Sequence, residues 1–310
     1  MELSLVCGTE LSMHADAFHI DDQIVQTLID EQFPNYSDLE LRLLKSNGSD
    51  NVIYRLGRDM CVRLPITPRA SAMLIKEVDC IPKLPHLPLQ IPIPLSAGNA
   101  VTDYQSPWAI YRWIEGETLS DHPLQDVPDA AEKLARFIDV LQKADASDAP
   151  LYGEHNNFRG CPLRNRHEPT VAAIEKVSDL YNAESLRSVW EQSLNLAEWS
   201  GGPVWVHGDI HAANLLMSDG KLSAVIDFGL MGAGDPAVDL IVNWSLLGGP
   251  ARSRFRSAVD IDEDTWLRGR AWAFSTALIA LAYYRDRHQY LSNMSIRVIG
   301  EVLSDAQGSP

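Results

Sequence analysis

Apolar residues recur at helical spacing near the start of the chain, on the face formed by Ile24, Val25, Leu28, Ile29 and Phe33. This spacing predicts an amphipathic helix over residues 21–33. The pattern then changes to alternation, and short strands are predicted at 39–43, 52–56 and 60–64, with polar turns between them. Strands joined by such turns indicate an antiparallel meander.

A second helix is predicted over residues 68–84, because apolar side chains again share one face. Glu77 lies on that apolar stripe. A carboxylate on an apolar face is costly unless a cation pairs with it. Glu77 therefore either lies at the edge of the stripe and reaches water, or has a specific partner.

Prolines recur at Pro82, Pro85, Pro88, Pro92 and Pro94, which indicates an extended linker over 84–94. A strand is predicted at 108–114. Beyond it the pattern is mainly helical, with helices predicted around 130–141 and at 168–182, 184–198, 237–247 and 263–285, and short strands near 204–206, 215–217 and 224–226. We therefore expect an α+β, bilobal protein. Its β-rich N-terminal lobe would span 14–114 and its larger, mainly helical C-terminal lobe 115–310, after a disordered extension at 1–13.

Charge and composition narrow the possible partners. The 310 residues carry a formal net charge of −16, which argues against nucleic acid as the ligand and is compatible with a cationic one. The four cysteines lack metal-binding spacing, so we expect reduced thiols in a cytoplasmic protein. No apolar stretch reaches the roughly 20 residues that a membrane-spanning helix needs.

Polar side chains with catalytic potential follow two apolar strands. Asp209 lies in the sequence His-Gly-Asp after the first strand, Asn214 comes five residues later, and Asp227 follows the next strand in Asp-Phe-Gly. Carboxylate and amide oxygens are the hard ligands that Mg²⁺ prefers. Each aspartate alone would be read as a turn or cap residue, but the spacing of the three matches the catalytic Asp, Asn and metal-binding Asp of protein kinases.

The sequences HGDIHAANLL, VIDFG and GAGDPAVDL, with YRLG, VRLP and YRWIEGE earlier, resemble the aminoglycoside and macrolide phosphotransferases of the kinase-like superfamily. The resemblance extends from about residue 14 over most of the chain; Ala212-Ala213 stands where the family commonly has Pro-Gly. It implies that Asp209 is the catalytic base and that Asn214 and Asp227 bind Mg²⁺. It also implies that Asp235 and Asp239 cap and fix the segment that follows the metal loop.

A kinase also needs a cation on its third strand to hold the nucleotide phosphates, paired with a helix carboxylate. Here that cation would be Arg63 and its partner Glu77, which would explain the carboxylate on the apolar stripe. The turn containing Ser46, Gly48 and Ser49 could form an anion-binding nest from its backbone N–H groups and hydroxyls, or it could be an ordinary hairpin turn.

By resemblance, the adenine or guanine base would meet backbone groups from Arg112 to Ile114. The predicted function is Mg²⁺-dependent phosphorylation, by ATP or GTP, of a hydroxyl on a small polar molecule. The net charge favours a cationic acceptor, and an aminoglycoside is the first choice. The alternatives are a macrolide phosphotransferase or small-metabolite kinase on the same scaffold, and a non-catalytic nucleotide-binding pseudokinase.

Overall fold

The computed structural model describes residues 17–44, 50–119 and 128–308. The chain divides into two compact units, one comprising residues up to Leu84 together with Ile91–Glu115, the other Pro85–Gln90 and the chain from Gly116 onward. The predicted extension at 1–13 and the turn residues Ser46, Gly48 and Ser49 lie outside the described residues. Within the described ranges, no helix is both long enough and apolar enough to cross a bilayer.

The first unit is built on an antiparallel sheet with strand order β1-β2-β3-β5-β4. Its strands are β1 (Leu41–Leu43), β2 (Asn51–Leu56), β3 (Met60–Pro65), β4 (Pro94–Gly98) and β5 (Trp108–Arg112). The predicted meander of the first three strands is confirmed, since β1 pairs with β2 and β2 with β3. The helices of this unit are α1 (Asp22–Gln32) and α2 (Pro68–Cys80).

Apolar packing fixes α1 and the sheet. The side chain of Asp21 accepts the backbone N–H of Ile24 and so caps α1, and the predicted apolar face of the helix packs into a core with β2, β3 and Trp108. Gly98 lies beside that tryptophan, and a Cβ atom added there would come within 2.1 Å of the indole ring. Only glycine allows this close approach of strand and ring.

Proline explains two differences from the predicted elements. The second helix ends at Cys80 and continues as a 3₁₀ turn, Ile81–Lys83, which contains Pro82. Strand β4 was not predicted because its first residue, Pro94, is the last of the proline-rich segment. Since β4 is an edge strand of the sheet and Pro94 is its first residue, the missing N–H is tolerated.

The second unit is mainly helical. Its helices are α3 (Pro128–Gln142), α4 (His167–Lys176), α5 (Ala183–Leu194), α6 (Val242–Ser245), α7 (Gly249–Ala258), α8 (Glu263–Tyr284) and α9 (Gln289–Gly308). Strands β6 (Glu117–Thr118), β8 (Leu215–Ser218) and β9 (Lys221–Val225) form one small sheet, and β7 (Val204–Val206) pairs with β10 (Gly232–Gly234) in another. The predicted α+β class, β-rich first and helical after, is confirmed.

Helix α8 is the central helix of this unit and packs against α4, α5 and α9. Trp266, Trp272 and Phe274 on α8 are buried, whereas Tyr283 is 56% exposed. The helix predicted over 237–247 is instead a 3₁₀ segment, Pro236–Ile241, followed by the short α6. Helices α7 and α9 and strand β10 were not predicted. Cys61, Cys80 and Cys161 are free and buried, as expected for reduced thiols.

Candidate active site

The β8–β9 hairpin brings Asn214 and Asp227 to the same end of one small sheet. Leu215 and Val225 are paired across the hairpin, and the N–H of Ile226 donates to the carbonyl of Asn214 over 2.9 Å. Asp227 is the next residue. The backbones of two residues thirteen apart in the chain therefore lie close together, because the strands between them are antiparallel.

The amide of Asn214 is oriented by Asp209. Its Nδ2 donates to the backbone carbonyl of Asp209 over 3.0 Å and lies 3.4 Å from that residue's Oδ2. Asn214 is only 6% exposed, so its amide is held in one orientation. With the nitrogen turned toward Asp209, the Oδ1 oxygen is the atom that can serve as a cation ligand.

Asp227 has a left-handed backbone, with φ 63°, and its side chain is exposed. Aspartate tolerates this conformation better than most residues, although it costs about 1–3 kcal/mol and is found mainly where function requires it. Its Oδ1 accepts the N–H of Gly229 over 3.3 Å, which completes a tight Asp-Phe-Gly turn. The carboxylate next to Asn214 is thus fixed by the local backbone.

Asp239 holds the loop that carries Asp209. Its two oxygens accept the backbone N–H groups of His207 over 2.9 Å and Gly208 over 2.7 Å. Burial raises the pKa of Asp239 to about 7, although the two N–H donors oppose this shift. The resemblance implied that Asp239 fixes the segment that follows the metal loop. The hydrogen bonds of its side chain instead fix His207 and Gly208, in the loop before Asp209.

Gly208 is required at its position in this loop. Its φ is 80°, and a Cβ atom would lie 2.6 Å from the carbonyl oxygen of Leu230. A side chain there would therefore meet both backbone strain and a backbone atom that cannot move away. This explains the glycine in the His-Gly-Asp sequence.

His207 has a structural role in the same loop. Its Nδ1 accepts the N–H of Asp209 over 3.2 Å, so the proton is on Nε2, which donates to the carbonyl of Ile226 over 3.1 Å. Burial lowers the pKa of His207 and favours this neutral form. The imidazole therefore links the Asp209 loop to the residue before Asp227.

Asp209 is surrounded by cationic and hydrogen-bonding groups. Nη2 of Arg159 lies 3.5 Å from its Oδ1, and Nε2 of His211 lies 3.4 Å from its Oδ2. Burial opposes ionisation, but the hydrogen bond and charge of His211, together with Arg159, hold the pKa of Asp209 well below its usual range. Burial lowers the pKa of His211, but its carboxylate neighbour raises it overall. Asp209 is therefore a carboxylate at neutral pH.

Arg268 was missed by the sequence reasoning. Its guanidinium donates to both oxygens of Asp235 over 2.7 and 3.3 Å, and the two side chains are 4% and 6% exposed. Asp235 also accepts the N–H of Ala237, which agrees with the expected capping role. The signal for Arg268 was available: it is a charged residue among the apolar positions of the predicted 263–285 helix, as Glu77 is on its own helix.

In the first unit, the expected pairing of Arg63 with Glu77 is present. Nη1 of Arg63 donates to Oε1 of Glu77 over 2.5 Å, and the guanidinium also lies over the Tyr111 ring, 5.2 Å from its centroid. Burial, with a smaller contribution from the Glu77 charge, raises the pKa of Tyr111. A role of the pair in binding nucleotide stays a prediction.

The segment from Arg112 to Ile114 is expected to bind the nucleobase, but two of its backbone N–H groups already donate hydrogen bonds within the protein. The N–H of Arg112 donates to Ile93 over 2.9 Å, and that of Trp113 donates to Asp59 over 2.8 Å. Ile114 is the buried residue that follows. That Arg112 and Ile114 bind the base therefore stays a prediction, and it now concerns their carbonyl groups and the N–H of Ile114.

A metal cage made wholly of protein ligands is not formed by the described residues, among which no group of three or more His, Cys, Asp and Glu side chains is suitably placed. Asn214 and Asp227 supply one amide and one carboxylate. That donor set fits Mg²⁺, which usually binds one or two carboxylates and completes its shell with water and phosphate.

Comparisons with known proteins show the family and the fold of the chain. A model of the family described as "Phosphotransferase enzyme family" matches residues 40–272. A curated aminoglycoside 3'-phosphotransferase of Escherichia coli is 26% identical over 211 residues, which cover 66% of this chain and 72% of that protein. Among solved structures, the GDP complex of an aminoglycoside 2'-phosphotransferase has a TM-score of 0.69 at 20% identity, covering 93% of this chain and 100% of the other. A macrolide 2'-phosphotransferase of Brachybacterium faecium has a TM-score of 0.61 at 18% identity, covering 89% and 97%.

Proposed function

The chain belongs to the phosphotransferase enzyme family, and from that premise we propose that it transfers the γ-phosphoryl group of ATP or GTP to a hydroxyl of a small polar molecule. One observation carries the proposal: the ionised Asp209 is hydrogen-bonded to Asn214, which the β8–β9 hairpin places beside Asp227. A general base and a pair of hard oxygen ligands are the parts that phosphoryl transfer requires.

Asn214 and Asp227 are proposed to hold Mg²⁺. Their oxygens fit the ion, and the left-handed turn at Asp227 and the hydrogen bonds of Asn214 fix them before any ligand arrives. When bound, Mg²⁺ would offset the negative charge of the nucleotide phosphates. A pseudokinase would have no need to maintain these ligands next to an ionised Asp209, so we favour an active enzyme.

Asp209 is proposed to orient the acceptor hydroxyl. A carboxylate with a lowered pKa is a weak base, so it accepts the proton only as the hydroxyl oxygen forms its bond to the γ-phosphorus. In the same step the bond from that phosphorus to the β–γ bridging oxygen breaks, and the nucleoside diphosphate leaves with the electron pair. The proton then passes from Asp209 to solvent.

The first unit is proposed to supply the nucleotide contacts. Arg63, held by Glu77, would contact phosphate oxygens, and the hydroxyls and N–H groups of Ser46, Gly48 and Ser49 would do the same. The carbonyls of Arg112 and Ile114, with the Ile114 N–H, would meet the base. Solved relatives are named as complexes with GDP and with ADP, so both ATP and GTP are candidate donors.

Aminoglycosides are the first acceptors to assay, because the curated relative carries that name and one solved relative is named as a complex with GDP and kanamycin. The net charge of −16 is compatible with such a polycation. Macrolides are the second class, since a macrolide 2'-phosphotransferase shares the fold.

The test is release of nucleoside diphosphate by the full chain with ATP or GTP and Mg²⁺, measured without acceptor and with kanamycin, a macrolide and small hydroxylated metabolites. The proposal expects turnover that rises with at least one acceptor and is lost in Asp227→Ala. Binding of nucleotide without any Asp227-dependent turnover would identify a pseudokinase instead.

A further inference from the structure

Two arginine side chains converge on the hydroxyl of Thr276, and one of them also reaches the catalytic aspartate. Nη1 of Arg159 lies 3.5 Å from Oγ1 of Thr276, and Nη2 of Arg166 lies 3.4 Å from the same oxygen. Arg159 also reaches Asp209 with its other terminal nitrogen, at 3.5 Å. The guanidinium of Arg159 therefore lies between the carboxylate of Asp209 and the Thr276 hydroxyl that Arg166 also contacts.

The positive charge of Arg166 is not balanced by a nearby carboxylate. Within the described residues it forms no ion pair; its neighbours are Oγ of Ser275 at 2.9 Å, the Thr276 hydroxyl and the Trp272 ring, 4.3 Å from the guanidinium. Burial, assisted by the charge of Arg159, lowers the pKa of Arg166 to about 9, so it is still a cation at neutral pH. Burying a cation without an anion is unfavourable unless a ligand supplies the anion.

The positive charge of Arg159 is balanced only weakly by the carboxylate of Asp209. Its separation from Asp209 is longer than the roughly 2.7–2.9 Å of a strong charge-assisted hydrogen bond. The same carboxylate interacts with His211, and the catalytic role requires it to face the acceptor hydroxyl as well. The buried Asp239 accepts two backbone N–H groups, and among the described residues it forms no direct hydrogen bond or ion pair with Arg159, on which it acts only at longer range.

We propose that Arg159 and Arg166 form a subsite for an anionic group of the acceptor, so that the molecule phosphorylated here carries a carboxylate or a phosphate close to the reacting hydroxyl. Two guanidinium groups meeting at one point suit the paired oxygens of such a group. The inference rests on the proposed phosphoryl transfer to a small polar molecule, and within that function it favours an anionic acceptor over a polycationic aminoglycoside.

The local charge at the subsite outweighs the net charge of the chain in setting the preferred acceptor. The net charge of −16 is summed over the whole chain and acts mainly on the approach of a ligand. Specificity is set by the groups that contact the bound molecule. Those groups include Arg159 next to Asp209 and Arg166 at the Thr276 hydroxyl that Arg159 also contacts, so a polycationic acceptor would meet like charge there.

The test uses gluconate, glucitol and glucamine, which share a hydroxylated carbon chain and differ in carrying a carboxylate, a neutral hydroxyl or an amine at one end. Diphosphate release by the full chain is measured with each, and with kanamycin. We expect kcat/KM for gluconate to exceed that for glucitol by about 10- to 100-fold, the usual effect of a hydrogen bond to a charged group. Glucamine should be poorer than glucitol.

Variants of Arg166 test whether the preference for gluconate arises at the proposed subsite. Arg166→Gln should reduce the gluconate-to-glucitol ratio to within a few-fold, and Arg166→Lys should restore part of it, with melting temperatures confirming that both fold. Arg164→Gln is the matched control, because Arg164 is 71% exposed and pairs with Glu198. Its ratio should equal that of the wild type.

Several outcomes overturn the inference. These are an equal response to the three compounds, a preference for glucamine or kanamycin, and a gluconate preference that survives in Arg166→Gln. In each of these cases, Asp227-dependent hydrolysis or transfer would leave the proposed function standing. Its absence would overturn the proposed function itself.

Discussion

Arg63 and Glu77 form a buried ion pair with 2.5 Å between Nη1 and Oε1, and their side chains are 11% and 1% exposed. The pair joins the middle of the sheet to α2. It explains how a carboxylate is tolerated on the apolar stripe of that helix. It also means that the cation on the third strand is fixed by the fold before any ligand binds.

Replacing Glu77 by alanine should destabilise the protein and weaken nucleotide binding. Removing one partner of a buried pair costs about 3–5 kcal/mol, because the other charge is left buried. Arg63→Lys should have a milder effect on both quantities, since the charge is kept although the geometry changes. Chemical denaturation and nucleotide titration calorimetry measure the two effects.

The matched control is Asp79→Ala, which removes an exposed carboxylate from the same helix and should change neither quantity. If Glu77→Ala lowers stability but leaves nucleotide affinity unchanged, the pair is structural only, and another cation must hold the phosphates.

Asp209→Asn should lower kcat by about 10²–10⁴ and leave nucleotide affinity nearly unchanged, because the carboxylate acts on the acceptor hydroxyl in the transition state. The measurement is steady-state turnover together with nucleotide titration. Asp260→Asn, at a side chain that is 88% exposed, is the control. Near-wild-type turnover of the Asp209 variant would remove it from the mechanism.

Asp227→Ala should lose Mg²⁺-dependent nucleotide binding, and Asn214→Ala should raise the Mg²⁺ concentration needed for half-maximal activity. Calorimetric titration with nucleotide, with and without Mg²⁺, separates these effects from simple unfolding. Unchanged affinity for Mg²⁺-nucleotide in Asp227→Ala would refute its role as a ligand.

The pKa of Asp239 gives a pH dependence with a definite sign. Burial raises this pKa from the usual 3.8 to about 7, so between these values the folded protein keeps a proton that the unfolded chain has lost. The contribution of Asp239 to stability is therefore fully present below pH 3.8 and is lost as the pH rises through about 7.

Asp239→Asn removes this titration. Because an amide nitrogen cannot accept the N–H of His207 or Gly208, the variant should also be less stable, by about 1–3 kcal/mol, and slower in turnover. Denaturation at several pH values between 4 and 8 should show the difference between wild type and variant shrinking as the pH rises. A difference that is constant with pH would contradict the shifted pKa.

The sequence by itself determined the main elements and which residues are the candidates for the central site. The alternation of apolar residues predicted the meander, and helical spacing predicted α1, α2 and α8. The spacing of Asp209, Asn214 and Asp227 predicted that the three belong to one site, and the β8–β9 hairpin brings Asn214 and Asp227 to the same end of a small sheet. These features are local, since period and spacing within a short segment specify them. The charge of Glu77 on an apolar stripe predicted either exposure at the edge of the stripe or a partner, and the kinase pattern indicated Arg63 as that partner.

Only the tertiary structure decided which distant groups meet. Asp239 reaches the backbone of His207 and Gly208, Arg268 pairs with Asp235, and Arg159 approaches Asp209 from a loop fifty residues earlier. Such contacts depend on how helices and loops pack, and no periodic pattern encodes them. The edge strand β4 was hidden for a related reason: proline is excluded from central strands but tolerated at a sheet edge, and the position of a strand in its sheet is a property of the whole fold.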